Sequence, residues 1–86
     1  MNDPTTERLR DEIAKRDRAI LDAVNERLEL VAELKRHKHE HGIDFVDPEQ
    51  EQRLLARLEE ANSGRLSREG VRRLFEEILA LTKREV

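Results

Sequence analysis

Residues 9–38 read LRDEIAKRDRAILDAVNERLELVAELKRHK. At about 100° per residue, the apolar positions of this stretch repeat along one face of a helix. The face comprises Leu9, Ile13, Ile20, Val24, Val31 and Leu34, and Leu21 and Leu28 flank it. Thr5 or Thr6 is a suitable N-cap, and neither Gly nor Pro follows before Gly42. The stretch therefore predicts a single helix roughly 50 Å long at about 1.5 Å per residue.

The length of this helix predicts an oligomer. A compact domain of 86 residues is narrower than such a helix is long. The far half of its apolar face therefore needs another surface to cover it. A second copy of the same helix is the simplest source, so we expect a homodimer.

Two further helices are predicted after a loop at residues 42–46. Asp47-Pro48-Glu49-Gln50 is a strong helix start, because it offers an N-cap carboxylate, a proline at the first helical position and a glutamine at the capping-box position. Leu54, Leu55 and Leu58 give this short helix an apolar face, and Asn62-Ser63-Gly64 ends it.

Ser67 is the expected N-cap of a third, medium-length helix. Its inward-facing residues are predicted to be Val71, Leu74, Phe75, Ile78 and Leu79. The prediction for the whole chain is one all-α domain over residues 1–86, with residues 1–5 disordered. Its three helices are expected to pack as a homodimeric bundle.

The composition excludes several kinds of function. The absence of cysteine rules out disulfides and thiolate metal sites. Aromatic residues make up 2% of the chain, the formal net charge is −3 and basic residues alternate with acidic ones, so nucleic acid is not an expected partner. No apolar run is long enough for a membrane span, and the N-terminus lacks a signal-peptide pattern. We expect a cytoplasmic protein without a membrane partner.

Two cations occupy positions where an apolar side chain is expected. Arg27 and Lys38 fall on the apolar face of the long helix, about 16 Å apart along its axis. A charge buried there needs a partner of opposite charge. That partner is either a carboxylate of the protein or a small anionic ligand. Arg16 lies on the same face, and the first alternative also accounts for it. Arg10 lies at the edge of the face about 26 Å from Arg27, so the two meet only across an antiparallel dimer.

Other polar residues are candidates for the same site. Glu51 lies one turn into the second helix beside Asp47, and Thr82 lies late in the third. His37, His39 and His41 cluster at the end of the long helix, but no further ligand is placed to complete a metal site, so none is expected. No nucleophile-base arrangement or phosphate-binding loop is visible. An enzyme of this sequence would act by charge and shape, without a cofactor.

The chain resembles the all-helical class of chorismate mutases. The resemblance rests on an ordered series of short motifs that spans nearly the whole chain: LRDEI at 9–13, NER at 25–27, KRHK at 35–38, DPEQE at 47–51 with Leu54-Leu55, and LFEEI at 74–78. It implies an intertwined dimer of three-helix chains and the Claisen rearrangement of chorismate, a small dianion, to prephenate in the shikimate pathway. A complex with another enzyme of that pathway stays open.

The resemblance also implies a role for each matching residue. Arg27 and Arg10 of the partner chain would hold the two substrate carboxylates, and Lys38 would donate to the ether oxygen. Asp47 and Glu51 would hold the region of the ring hydroxyl. Thr82 would contact a carboxylate.

Two positions depart from the family pattern. Gln50 stands where the family usually has arginine, and Val86 stands where many members have a glutamine or glutamate that assists at the ether oxygen. These departures keep two alternatives open. One is a related enzyme on the same scaffold, either a mutase of 4-amino-4-deoxychorismate or an isochorismate pyruvate lyase. The other is a non-catalytic regulatory or dimerisation module.

Overall fold

The computed structural model describes residues 3–86, which form three α-helices: α1, Pro4–Glu40; α2, Pro48–Ala61; and α3, Arg68–Glu85. No residue of this range forms a β-strand. The predicted order of one long, one short and one medium helix is confirmed.

The start of α1 differs from the prediction. Asp3 is the N-cap, its carboxylate accepting hydrogen bonds from the backbone amide and the hydroxyl of Thr6. The prediction of Thr5 or Thr6 as the cap was wrong, because Pro4 already fits the first helical position, where no amide donor is needed. Of the residues expected to be disordered, Met1 and Asn2 lie outside the described residues, whereas Pro4 and Thr5 lie in the first turn of α1.

The starts of α2 and α3 are those that the sequence predicts. The Asp47 carboxylate accepts from the Gln50 amide at 3.2 Å, and the Ser67 hydroxyl accepts from the Gly70 amide at 2.9 Å. Between α1 and α2, Gly42 has φ of 64°, a left-handed conformation that glycine adopts without strain. These caps set where each helix begins, and with it which side chains face the other helices.

The packed interior is small and lies where α3 meets α2. Leu55 of α2 and Val71 of α3 are the buried apolar residues of the described chain, and Thr82 is the buried polar one. An ion pair of 2.9 Å between Arg72 and Glu59 also links the two helices. Leu74, predicted to face inward, is 48% exposed. It lies about 60° around α3 from Val71, at the edge of the buried face.

The long helix is the least covered element. None of its residues is buried, although α3 packs against part of it. Its large apolar side chains are between 46% and 65% exposed at Leu9, Ile13, Ile20, Leu21, Leu30 and Leu34. The described chain measures 60 × 24 × 18 Å, so α1 extends well past the other two helices. Within residues 3–86, no helix is apolar and long enough to cross a bilayer.

Candidate functional site

A cavity of about 220 Å³ lies between α1, the connection that precedes α2, and the two shorter helices. This volume is below the range of about 300–1,000 Å³ that drug-sized ligands need, so the cavity suits a smaller metabolite. Its lining comprises Arg27, Val31, Leu34, Lys38, Phe45, Val46, Asp47, Gln50, Glu51, Leu54, Leu79 and Lys83. Five of the predicted site residues are therefore brought together here: Arg27, Lys38, Asp47, Gln50 and Glu51.

The two cations of α1 reach this cavity from successive parts of one helix face. Both side chains are half-buried. The Arg27 guanidinium donates to the Thr82 hydroxyl at 2.8 Å, and the Lys38 ammonium donates to the Phe45 carbonyl at 3.4 Å. Among residues 3–86, no carboxylate of the chain lies within ion-pair distance of either group. Both charges are therefore available to an anionic ligand.

Thr82 supports Arg27 from behind rather than lining the cavity. Its buried hydroxyl accepts from Arg27 and donates to the Ile78 carbonyl at 2.7 Å. The back-bond to Ile78 is the ordinary helical arrangement for a threonine, and it leaves an oxygen lone pair free for the guanidinium. Thr82 thereby fixes the direction in which Arg27 points.

The two acidic groups of the cavity have different surroundings. The Asp47 carboxylate caps α2, where the helix dipole stabilises a negative charge. The Glu51 carboxylate instead lies 3.2 Å from the ammonium of Lys83, on α3. The cavity therefore contains one carboxylate that is held by a helix end and one that is held by a side-chain cation.

Lys83 is a charged group of the cavity that the sequence analysis missed. It lies one helical turn after Leu79, an apolar residue that also lines the cavity. That spacing of four residues was the available signal, because such positions share a helix face. With Arg27 and Lys38, it gives the cavity three cations against two carboxylates.

Gln50 lines the cavity but contributes no charge. Its side-chain oxygen accepts from the guanidinium of Arg53, at 3.0 and 3.2 Å. Arg53 itself is exposed and pairs with Glu49 on the solvent side of α2. Gln50 therefore holds the guanidinium of an exposed arginine that does not line the cavity.

Two other predicted residues lie outside this cavity. Arg10 is exposed and is not among the lining residues. Val86 is the C-cap of α3, and its carbonyl accepts from the Lys35 ammonium at 3.1 Å. It lines a separate shallow pocket together with Ala32, Lys35, Arg36 and His39. Within one chain, neither residue is brought to Arg27 and Lys38.

The histidines at the end of α1 pack on each other. The rings of His37 and His41 are 4.2 Å apart, and the Nδ1 of His41 lies 2.8 Å from the His37 carbonyl. Within residues 3–86, no group of histidine and acidic side chains is arranged to bind a metal ion.

Comparisons with known proteins agree on one family. The family model described as chorismate mutase type II matches residues 9–85. A structure of chorismate mutase from Thermus thermophilus, Form I, is 36% identical in sequence and has a TM-score of 0.87 over 91% of this chain and 98% of that chain. Form II from the same organism is 35% identical, with a TM-score of 0.87 over 92% of this chain and 90% of that chain. No curated protein sequence matches the chain significantly.

Proposed function

The chain belongs to the type II chorismate mutase family and so to a family of isomerases; on that premise, we propose that it converts chorismate to prephenate in the shikimate pathway. The observation that carries the proposal is the pair of half-buried cations, Arg27 and Lys38, that face a metabolite-sized cavity without a carboxylate partner in the described chain. A small dianion supplies the missing negative charge.

The chemistry asks little of the protein beyond charge and shape. In a Claisen rearrangement the ether carbon–oxygen bond breaks while a carbon–carbon bond forms, and the electron pairs move around a six-membered ring. No proton is transferred and no covalent intermediate forms. The enzyme accelerates this step by holding the substrate in its compact conformer and by stabilising the charge that grows on the ether oxygen.

The cavity residues suit these two tasks. Arg27, directed by Thr82, would bind a substrate carboxylate. Lys38 would donate to the ether oxygen, since the only hydrogen bond of its ammonium group in the described chain is a long one to a carbonyl. Asp47 and Glu51 would accept from the ring hydroxyl. Each well-placed donor contributes about 3–4 kcal/mol of transition-state stabilisation in sites of this kind.

We also propose that the active form is an intertwined homodimer. The support is the uncovered apolar face of α1, whose large side chains are about half exposed in one chain. Exposed apolar area of this extent is uncommon on a monomer and is typical of an interface. In such a dimer Arg10 would enter the partner's cavity and bind the second carboxylate. Val86 lies in a separate pocket, so Lys38 would act at the ether oxygen alone or with a water molecule.

Substrate loss tests the proposal directly. Purified protein is incubated with chorismate, isochorismate and 4-amino-4-deoxychorismate, and the loss of each is measured against its spontaneous rate, with the products identified by chromatography. We expect acceleration with chorismate and prephenate as the product. Acceleration with another substrate alone would assign a related enzyme, and no acceleration with any would support a non-catalytic module.

A further inference from the structure

The ion pair between Lys83 and Glu51 is a feature that the roles above do not use. It joins α3 to α2 across the cavity, with the Lys83 ammonium 3.2 Å from a Glu51 carboxylate oxygen. Both residues line the cavity, and their side chains are 54% and 31% exposed. A half-exposed pair of this kind contributes little to stability. The lysine of this pair matters more for the net charge of the cavity.

Within one chain, Lys83 determines whether the cavity has a net charge. Without it, Arg27 and Lys38 only balance Asp47 and Glu51, and the cavity of one chain is neutral. With it, the cavity carries one net positive charge. The neutral Gln50 adds nothing to this balance, so Lys83 increases the positive charge that the cavity offers to a dianion, in addition to the Arg10 that a partner chain would supply.

Lys83 also pairs with a carboxylate that a cationic substituent of a ligand could use. One Asp47 oxygen accepts from the Gln50 amide at the N-terminus of α2, whereas Glu51 is the carboxylate of the cavity that already pairs with a side-chain cation. A ligand with an amino group beside Glu51 would have to displace Lys83 or lie against it. Like charges placed together are an effective means of rejecting a wrong ligand.

We propose that Lys83 is a specificity-determining residue that reserves the cavity for a dianion with an uncharged ring substituent and rejects its aminated analogue. The proposal rests on the function proposed above and names the substrate class of the same site. It argues against the alternative that Gln50 keeps open, a mutase of 4-amino-4-deoxychorismate, since Lys83 of α3 places a cation beside Glu51.

The experiment measures a ratio between two substrates. Values of kcat/KM are determined for chorismate and for 4-amino-4-deoxychorismate with the wild type, Lys83→Met and Lys83→Arg. Arg84→Met is the matched control, because it removes the same charge from an exposed neighbouring position outside the cavity lining. Lys83→Met should shift the ratio toward the amino analogue by ~10-fold or more, chiefly through KM, whereas Lys83→Arg and Arg84→Met should stay near the wild-type ratio.

An unfolded fraction in a variant lowers the apparent kcat/KM for both substrates by the same factor. The ratio of the two values therefore reports only on the folded molecules and isolates the electrostatic role of Lys83. An unchanged ratio in Lys83→Met, or an equal shift in Arg84→Met, overturns the proposal. If the wild type does not rearrange chorismate, the proposed function fails. The affinities of the wild type for the same two compounds, measured by calorimetry, then test whether Lys83 discriminates between them. A wild type that binds both equally, or binds neither, then overturns it.

Discussion

The ammonium group of Lys38 lies 3.4 Å from the Phe45 carbonyl and 6.0 Å from the centre of the Phe45 ring. Lys35, one turn earlier on the same helix, lies 5.5 Å from the same ring, but it contacts the Val86 carbonyl and does not line the cavity. The two lysines therefore share an aromatic neighbour and differ in their access to a ligand.

This difference gives a matched pair of variants. Lys38→Met should lower kcat by about 10²–10³-fold, because it removes a donor to an oxygen that gains charge in the transition state. Lys35→Met should change kcat by less than about 3-fold, since exposed charges outside a site have small effects. Circular dichroism checks that both variants remain helical. Near-normal turnover in Lys38→Met would show that another group acts at the ether oxygen.

Thr82 allows a test of how Arg27 is directed. Valine has the same shape but can neither accept from Arg27 nor donate to the Ile78 carbonyl. Thr82→Val should lower kcat/KM by ~10-fold through misplacement of the guanidinium, at a cost of about 1 kcal/mol in stability. Thr82→Ser keeps the hydroxyl and should recover most of the activity. Steady-state kinetics and urea unfolding measure the two effects, and a fully active Thr82→Val enzyme would separate Thr82 from catalysis.

At the scale of a helix, the first turn of α1 depends on a charged cap. Hydrogen bonds from the Thr6 hydroxyl and amide lower the pKa of Asp3 below its ordinary value. A carboxylate with a lowered pKa stabilises the folded turn above its unfolded pKa, and this stabilisation is lost as the pH falls through the folded pKa. The first turn of α1 should therefore fray in acid, below about pH 4.

Amide hydrogen exchange in the first turn of α1 measures this effect. Exchange at Thr6 and Glu7, which donate to Asp3, should accelerate in acid in the wild type beyond the intrinsic change. Asp3→Asn keeps a capping oxygen without a titratable group, so its protection should not change with pH in this range. Equal pH dependence in both proteins would assign the fraying to another group.

The helix ends also show what the sequence could and could not predict. Asp47 is recognisable as a cap because Pro48 follows it, and the same Asp-Pro pair at Asp3-Pro4 carries the same signal, which the prediction of Thr5 or Thr6 as the cap overlooked. Arg27 and Lys38 are predictable because a charge on an apolar stripe is visible in the spacing of one helix. The spacing of Lys83 from Leu79 places both on one face of α3, but it does not show that this face borders the cavity, because that depends on how α2 and α3 pack.

For the whole molecule, the length of α1 bears on both stability and catalysis, because a second chain that covers its apolar face would also supply Arg10. Its 37 residues extend beyond a small interior, and its apolar face is uncovered in one chain. A second chain would bury that face and, in an antiparallel arrangement, bring Arg10 of one copy toward Arg27 of the other. Sedimentation should therefore find two chains per particle. A stable, active monomer would remove Arg10 from the site.

Mixing two inactive variants tests whether the site is shared between chains. Arg10→Ala and Arg27→Ala homodimers should each lose ~10²-fold in kcat/KM, because every site lacks one cation. After complete subunit exchange of an equal mixture, half of the dimers are mixed, and each mixed dimer contains one site with both arginines intact. The mixture should thus recover about a quarter of wild-type activity, as expected when a two-fold interface completes each site. If tagged chains prove that mixed dimers have formed but activity stays at the level of the parents, Arg10 acts within its own chain or not at all.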